Sequence, residues 1–163
     1  MMPDQSRMPP LRALLLAVLP VLTAAVLGNL ATTPNIPTWY AGLDKPDFNP
    51  PNWVFGPAWG MLYILMAYAF FRVLRLDPKT PGRKAAIGLF LFQMVLNAAW
   101  SWAFFAAHSP LAGLVVISAL WIAIAATLFS FLHLDRIAGL CFVPYIAWVS
   151  FAALLNFEIY RLN

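Results

Sequence analysis

Long apolar runs separated by short polar breaks dominate this chain. Five of the runs reach about 20 residues, the length of helix that crosses about 30 Å of hydrocarbon. They cover roughly residues 11–31, 53–74, 85–107, 111–132 and 137–160. Because a bilayer offers no water to backbone N–H and C=O groups, each run must be helical. The pattern therefore predicts an all-α integral membrane protein, a bundle of five transmembrane helices that forms a single domain over residues 1–163.

The polar breaks predict how these helices are arranged. Residues 77–82 (DPKTPG) separate the second and third runs, residues 108–110 (HSP) make a tight corner, and residues 133–136 (HLDR) precede the fifth run. Short corners place consecutive helices side by side and antiparallel. Pro20 and Pro144 lie inside predicted spans, and a kink is expected at both because proline removes a backbone hydrogen bond.

The first break differs from the others, because residues 32–52 form a long loop. This loop carries five prolines, which restrict its shape, and three aromatic residues, Trp39, Tyr40 and Phe48. Loops of this length are usually functional lids or disordered segments, and disordered segments are poor in aromatic residues. We therefore expect a structured lid.

Composition agrees with insertion into a membrane. The chain is 63% hydrophobic and 10% charged, whereas a soluble domain is about 25% charged. The net charge of +4 comes from basic residues in the short loops, which is the pattern of membrane topology rather than of a nucleic-acid surface. The lipid bilayer is the predicted partner, and nucleic acid is not. A single cysteine, Cys141, excludes an intrachain disulfide.

The basic residues also predict the orientation in the membrane. Five spans place the N-terminus and the second and fourth loops on one side. That side holds eight of the ten Lys and Arg residues, namely Arg7, Arg12, Arg72, Arg75, Lys79, Arg83, Lys84 and Arg136. Lys45 and Arg161 lie on the other side. Since basic loops stay in the cytoplasm, we expect a cytoplasmic N-terminus and an outward-facing first loop.

Conventional catalytic and metal-binding groups are sparse in the predicted spans. Of the six acidic residues only Glu158 lies in a span, near its end, and the two histidines lie at corners on opposite sides. No His, Cys and acidic cluster suggests a metal site, and no nucleophile has a base beside it. A proton or ion relay is disfavoured, because it needs buried ionisable groups. No catalytic residue, metal or obligatory cofactor is predicted.

Tryptophan and neutral polar residues are the remaining candidates for a site. Helical spacing groups Trp59 with Tyr63 in the second span, Gln93 with Asn97 and Trp100 in the third, and Tyr145 with Trp148 and Ala152 in the fifth. Amides in lipid should face inward, where they find partners. Two interpretations stay open: a bundle core joined by interhelical hydrogen bonds, or an aromatic-lined pocket for a large, flat, apolar ligand.

Small residues indicate close helix packing along the third span. Ala99, Ala103 and Ala107 recur every four residues, and such a stripe lets helices approach closely. It suits a homodimer formed through this span and packing within one bundle equally well.

Several segments together form a specific pattern. Residues 39–59 read WYAGLDKPDFNPPNWVFGPAW, residues 96–101 read LNAAWS, residues 143–148 read VPYIAW and residues 155–157 read LNF. This pattern resembles the first loop and the second, third and fifth helices of the TspO/MBR family, the tryptophan-rich sensory proteins and the translocator protein or peripheral benzodiazepine receptor. The resemblance covers nearly the whole chain after its first few residues.

The resemblance implies a five-helix bundle with a ligand pocket beneath the first loop. Family members bind porphyrins such as protoporphyrin IX and haem, as well as sterols and synthetic isoquinoline ligands. The positions that match the family's pocket residues are Tyr40, Trp59, Tyr63, Asn97, Trp100, Trp148 and Ala152. The implied function is a membrane receptor that binds tetrapyrroles as ligands, with transport of them or regulation of their metabolism as its role.

Two other functions stay open. The counterparts of Trp59 and Trp148 are associated in the family with light-dependent degradation of protoporphyrin, which would make the protein a photo-oxidative enzyme. A secondary transporter is the third alternative, although the five spans show no paired repeat. Sterol binding is less expected, because the family's sterol motif has an aromatic hydroxyl where this chain has Phe157, and Tyr160 is followed directly by Arg161.

Overall fold

A computed structural model describes residues 8–163, which fold almost entirely into helices. The helices are α1 (Pro10–Thr32), α2 (Phe55–Leu74), α3 (Arg83–Ser101), α4 (Pro110–Leu134), the short α5 (Arg136–Leu140) and α6 (Val143–Leu162). Together with the turns that extend them, they provide five segments of 23 to 27 residues in the described chain that are long and apolar enough to cross a membrane. The prediction of an all-α bundle with five spans is confirmed. Arg7, which contributed to the predicted orientation, lies outside the described residues.

Side-chain caps fix the starts of α4 and α5. Ser109 Oγ accepts the N–H of Ala112 at 3.1 Å, and Asp135 Oδ1 accepts the N–H of Ala138 at 2.9 Å. Each cap satisfies a donor that the first turn of a helix leaves without an intrahelical partner. Pro110 follows Ser109 as the first residue of α4, a position where the missing N–H of proline is not needed.

A buried arginine joins the end of α2 to the start of α3. Arg83 Nε donates to the carbonyl of Val73 at 3.1 Å, and its Nη2 donates to the carbonyl of Leu74 at 2.9 Å. These carbonyls lie in the last turn of α2, where no further turn supplies donors and where the helix dipole favours a cation. Arg83 is only 7% exposed, so a buried side chain holds the two helices of this hairpin together.

The two interior prolines behave differently. α1 continues through Pro20 as one helix. At Pro144 the expected kink inside one long helix is instead a break, because α5 ends at Leu140 and α6 begins at Val143. Pro144 has no N–H to give to the carbonyl of Leu140, and it therefore sits in the first turn of α6, where this loss has no consequence.

The end of the third span contains a feature that the sequence pattern did not predict. A π-helical turn, Trp102–Ala106, follows α3, and the N–H of Ala107 donates to the carbonyl five residues earlier at 2.8 Å. The wider turn brings two consecutive aromatic residues, Phe104 and Phe105, into the interior. The chain then reverses through His108, which has a left-handed φ of 52°.

The two ends of the bundle differ in packing and in charge. The basic end contains residues 8–12, 75–84 and 133–136, and the loop end is covered by residues 33–54. Toward the basic end, Phe90 stacks on Phe70 with ring centroids 3.9 Å apart and also contacts Phe131 and Phe142. The four rings are buried and form the centre of the hydrophobic core.

Candidate functional site

A cavity of about 600 Å³ lies at the loop end of the bundle. Its walls come from α1, α2, α3 with its π-helical turn, and α6, and the loop between α1 and α2 contributes the cover. None of the described residues that line the cavity carries a charge; they are aromatic, aliphatic, small or neutral polar. The volume falls within the range of about 300–1,000 Å³ that is typical of small-molecule sites.

The structure brings most of the candidate site residues together. Six of the seven positions that match the family's pocket line this cavity, namely Tyr40, Trp59, Tyr63, Asn97, Trp100 and Ala152. Helical spacing had placed residues of α2, α3 and α6 on three separate helix faces, and these faces converge here. The remaining position, Trp148, is not part of the lining. Whether these residues bind a ligand stays a prediction.

Trp59 is the centre of the aromatic wall. Its ring centroid lies 5.6 Å from that of Tyr63, 6.5 Å from that of Trp100 and 6.3 Å from that of Tyr145. The planes of the two indoles are inclined by only 30°. Nearly parallel indole faces in an apolar space are suited to stacking with a flat conjugated ligand.

A chain of hydrogen bonds crosses three helices at the inner side of the cavity. The Tyr63 hydroxyl donates to Asn97 Oδ1 at 3.1 Å, and Asn97 Nδ2 donates to the Tyr145 hydroxyl at 2.9 Å. The Tyr145 hydroxyl donates in turn to Gln93 Oε1 at 3.0 Å. An amide nitrogen carries two hydrogens, so Asn97 keeps one donor beyond this chain. The amides thus join the helices, as the first interpretation expected, and one of them also lines the cavity.

A second amide, Asn156, is a cavity residue that sequence reasoning did not single out. Its Oδ1 accepts the indole N–H of Trp100 at 3.2 Å, and its Nδ2 donates to the carbonyl of Pro110 at 2.7 Å. Gly113 makes this possible, because a Cβ there would lie 2.8 Å from Asn156 Oδ1. The available signal was an amide inside a span, one turn after Ala152 on the same helix face.

Tyr40 closes the cavity from the loop. Its hydroxyl donates to Asn49 Oδ1 at 2.9 Å, while Lys45 Nζ donates to the carbonyls of Tyr40 and Leu43 at 2.8 and 2.7 Å. Burial raises the pKa of Tyr40 to about 12, although the hydrogen bond with Asn49 acts in the opposite direction. The phenol therefore stays neutral at physiological pH, and Tyr40 adds no charge to the cavity.

The loop is structured, as its aromatic content predicted, and it is fastened at both sides. The Trp39 ring stacks on His108 with centroids 4.9 Å apart, and His108 Nε2 lies 2.8 Å from Asn35 Oδ1. At the other side the backbone N–H of Asp44 donates to Asn163 Oδ1 at 3.0 Å, and Asn163 Nδ2 donates to the Asp44 carbonyl at 2.9 Å. The corner after α3 and the end of α6 thus hold the lid in place.

Trp148 lies behind the cavity wall rather than in it. Its ring packs edge-on against Phe55, with centroids 6.0 Å apart, and against Phe151 at 5.6 Å. Phe55 and Trp59 are part of the lining, whereas Trp148 is not. The expected meeting of the two tryptophans in one cavity is therefore not observed. The indole N–H of Trp148 is buried and has no acceptor within reach among residues 8–163.

These features define a class of protein: a small multi-pass helical membrane protein with an uncharged aromatic cavity beneath an extramembrane loop. The sequence profile of the TspO/MBR family matches residues 16–161, and the chain belongs to this family. The predicted resemblance is confirmed.

Individual relatives agree with this assignment. The chain is 46% identical to the Tryptophan-rich protein TspO of Chlorobaculum tepidum over 132 residues, which cover 80% of this chain and 84% of that protein. It is 42% identical to the Tryptophan-rich protein TspO of Archaeoglobus fulgidus over 150 residues, or 92% and 96% of the two chains. It is also 38% identical to the human Translocator protein over 129 residues, or 77% and 75%.

Proposed function

We propose that this protein is a membrane receptor that binds tetrapyrroles, such as protoporphyrin IX and haem, in the cavity at the loop end. The observation that carries the proposal is a cavity of about 600 Å³, with an uncharged aromatic lining, beneath a structured lid. A flat macrocycle gains most from indole and phenol faces, and a few placed polar groups fix its orientation. The resemblance to TspO/MBR proteins implies the same class of ligand.

Each group in the cavity has a role in this proposal. Trp59 and Trp100 present their faces to the macrocycle, Asn97 offers its free amide hydrogen to an acceptor on the ligand, and Tyr40 covers the site. Trp148 belongs to the proposed site through its contact with Phe55 of the lining, and its buried indole N–H has no acceptor among the described residues. The bound ligand is then transported, or its level regulates tetrapyrrole metabolism.

Filling the cavity is the sharpest test of the binding site. Gly60 lines the cavity, and a Cβ built on it meets no atom within 4 Å. Gly60→Leu should therefore fold normally while its side chain occupies ligand space, and we expect titration with protoporphyrin IX, followed by the shift of its main absorption band, to show binding at least about tenfold weaker. Gly88→Leu is the matched control, because Gly88 also has open space around its Cβ but lies outside the cavity. Equal affinity in both variants would contradict the proposed site.

Removal of an aromatic wall provides a second test. Trp59→Leu should weaken protoporphyrin binding by about tenfold, because the ligand loses its largest stacking surface. Trp121→Phe should leave the affinity unchanged, since Trp121 is exposed on α4 and donates to Ser150 away from the cavity. A titration of the unmodified protein that rises linearly without saturation would reject specific binding altogether.

Photo-oxidative degradation of the porphyrin is the second candidate function. It is favoured by the two oxidisable indoles in the lining, Trp59 and Trp100, whose centroids lie 6.5 Å apart. Illumination of the complex in the presence of dioxygen, which would serve as the oxidant, should then bleach the porphyrin band and form a new product over several equivalents. Trp59→Phe should slow the reaction more than Trp148→Phe, because Trp59 lines the cavity and Trp148 does not. Bleaching that stops after one equivalent would identify a side reaction of a receptor.

We also propose that the N-terminus is cytoplasmic and the lid is on the opposite side. In a Cys141→Ser background, a cysteine introduced at Lys79 should react with a membrane-impermeant maleimide only after the cytoplasmic face is opened. A cysteine introduced at Asp47, which is exposed in the lid, should react in intact cells. The reverse pattern of labelling would invert the topology.

A homodimer through the third span, which comprises α3 and its π-helical turn, is the proposed assembly. Ala99 and Ala103 are half-buried and Ala107 is exposed, while the neighbouring Val95 is 66% exposed on the same helix. A stripe of small residues beside exposed aliphatic ones allows a second α3 to pack closely. Ala103→Leu should reduce the dimer fraction measured by cross-linking in membranes, and an unchanged fraction would assign the stripe to packing within the bundle.

A further inference from the structure

A second, smaller groove lies at the basic end of the bundle, where α2 ends beside the start of α5. It has a volume of about 250 Å³ and is lined by Phe71, Arg72, Arg75, Leu76 and Asp135. Two guanidinium groups and two large apolar side chains therefore share one groove at the end of a membrane-spanning helix. None of these five residues belongs to the cavity at the loop end.

The carboxylate in the groove is compensated within the protein. Arg72 Nε lies 3.0 Å from both oxygens of Asp135, and Arg72 Nη2 pairs with one of them at 2.9 Å. The backbone N–H of Ala138 donates to the same carboxylate at 2.9 Å. Partial burial disfavours the charge, but these hydrogen bonds outweigh it and hold the pKa of Asp135 below its ordinary value. Because Asp135 is paired with Arg72, it leaves the positive charge of Arg75, the second arginine of the groove, uncompensated.

That second arginine, Arg75, has donors to spare. Its Nη1 donates to the carbonyl of Met8 at 2.6 Å. Its Nε and Nη2 have no acceptor within hydrogen-bonding distance among residues 8–163. A guanidinium carries five N–H donors in a planar fork that matches the geometry of a phosphate. Arg75 is only half-buried, so this fork is accessible from the groove.

The surroundings of the groove reinforce its charge. Among residues 8–163, the basic end carries seven basic side chains, Arg12, Arg72, Arg75, Lys79, Arg83, Lys84 and Arg136, and two acidic ones, Asp77 and Asp135, for a net of +5. At the loop end two basic side chains, Lys45 and Arg161, accompany three acidic ones, Asp44, Asp47 and Glu158, for a net of −1. A basic surface beside a bilayer attracts anionic lipids.

We propose that this groove binds the headgroup of an anionic phospholipid, with the Arg75 fork donating to the phosphate. Phe71 and Leu76 pack against the first carbons of the acyl chains. The groove suits a lipid better than a free phosphate, because its apolar half offers nothing to an inorganic ion. The site is independent of tetrapyrrole binding, since it lies at the other end of the bundle.

The experiment compares two lipids that differ in headgroup charge. The full-length protein is stripped of lipid in neutral detergent and titrated, under native mass spectrometry, with dioleoyl phosphatidylglycerol or dioleoyl phosphatidylcholine. We expect one phosphatidylglycerol to bind at least about tenfold more tightly than phosphatidylcholine. Arg75→Gln should remove most of this preference, whereas Lys84→Gln, which deletes the same charge from an exposed position outside the groove, should keep it. Equal losses in the two variants would assign the preference to the diffuse charge of this end and overturn the site.

Three further measurements keep the test decisive. Arg75→Gln also loses the contact with Met8, so its thermal unfolding without lipid is compared with that of the unmodified protein. Leu76→Asp provides a second variant, which places a negative charge in the groove. This variant should abolish the preference for phosphatidylglycerol, and its retention would contradict the proposal. Millimolar inorganic phosphate should not displace the lipid. Complete displacement would reassign the groove to free phosphate.

Discussion

Both ends of the bundle are rich in aromatic residues, yet only the loop end leaves a large cavity between them. Toward the basic end, Phe70 and Phe90 stack with centroids 3.9 Å apart, and Met66 and Val73 are fully buried in the same core. At the loop end, small residues such as Gly60 stand beside the large rings and leave about 600 Å³ between the helices. The lesson is that shape, more than hydrophobicity, separates a packed core from a cavity.

A layer of polar side chains connects the two ends. Tyr145 contacts Phe142 of the dense core at 5.8 Å and Trp59 of the cavity wall at 6.3 Å, and its hydroxyl joins Asn97 to Gln93. The dense end therefore fixes the position of residues that line the open end. If the dense end provides stability and the open end binds the ligand, substitutions in the dense end should mainly lower the free energy of unfolding. Substitutions in the open end should mainly lower the affinity for the ligand.

The largest expected effect is a loss of stability from truncation in the dense end. Phe90→Ala removes a fully buried ring that contacts three others, and we expect it to cost about 3–5 kcal/mol of unfolding free energy. Trp59→Ala should cost clearly less, because one side of this indole already faces the cavity. Equilibrium unfolding in mixed micelles measures both. Similar losses at the two positions would show that the loop end is packed as tightly as the core.

Glycine substitutions sharpen the same comparison with a smaller change. A Cβ on Gly139 would lie 2.7 Å from the backbone Cα of Leu132, so Gly139→Ala must push α5 away from α4 and should cost about 1–3 kcal/mol. Gly88→Ala meets no atom within 4 Å and should be neutral or slightly stabilising, because alanine is the better helix former by up to about 1 kcal/mol. Thermal unfolding midpoints of the two variants decide the matter, and a stable Gly139→Ala protein would contradict the close contact.

The connecting layer should give an intermediate result. Tyr145→Phe leaves Asn97 without its acceptor and Gln93 without its donor, and buried groups that lose a partner cost about 1–3 kcal/mol. Hydrogen bonds between membrane helices average nearer about 0.6 kcal/mol, so we expect about 1 kcal/mol. The variant should also weaken protoporphyrin binding, because Asn97 is no longer held in place. Unchanged stability together with unchanged affinity would argue against a connecting role.

The fold was predictable because the bilayer restricts what an apolar chain of this length can form. Five runs of about 20 residues leave few alternatives to a helical bundle, and the inward direction of Gln93 and Asn97 followed from the cost of a free amide in lipid. The break before Pro144 was anticipated only as a kink, since a proline pattern does not tell whether the helix bends or restarts. The π-helical turn at Trp102–Ala106 left no sequence signal that a 3.6-residue period would detect.

The site was predictable only in part, because spacing assigns a residue to a helix face but not to a neighbour across the bundle. The cavity lining includes Trp59, Tyr63 and Asn97, which lie on the helix faces that spacing predicts to point inward. Trp148 also had suitable spacing, but it packs against Phe55 and is not part of the lining, and no pattern along the chain reveals that contact. Asn156 was missed because its partners, Trp100 and Pro110, are far from it in sequence.

The smallest expected effect is a pH dependence confined to the basic end. The pKa of Asp135 is below its ordinary value of about 3.9, despite partial burial, because of hydrogen bonds from Arg72 and the N–H of Ala138. The carboxylate therefore stabilises the fold above that ordinary value, and its contribution is lost as pH falls through the lower folded pKa. Both side chains are partly exposed to solvent, so solvent screening makes the loss modest.

Thermal unfolding from pH 6 to pH 3 tests this against Asp135→Asn. The unmodified protein should unfold at the higher temperature at pH 6, and the difference between the two proteins should shrink below pH 4. Acidic residues of the lid, such as Asp44 and Asp47, are present in both proteins and cancel in the comparison. A difference that stays constant over the whole range would mean that the pair between Arg72 and Asp135 contributes no pH-dependent stability, and that the basic end is held by Arg83 and the aromatic core instead.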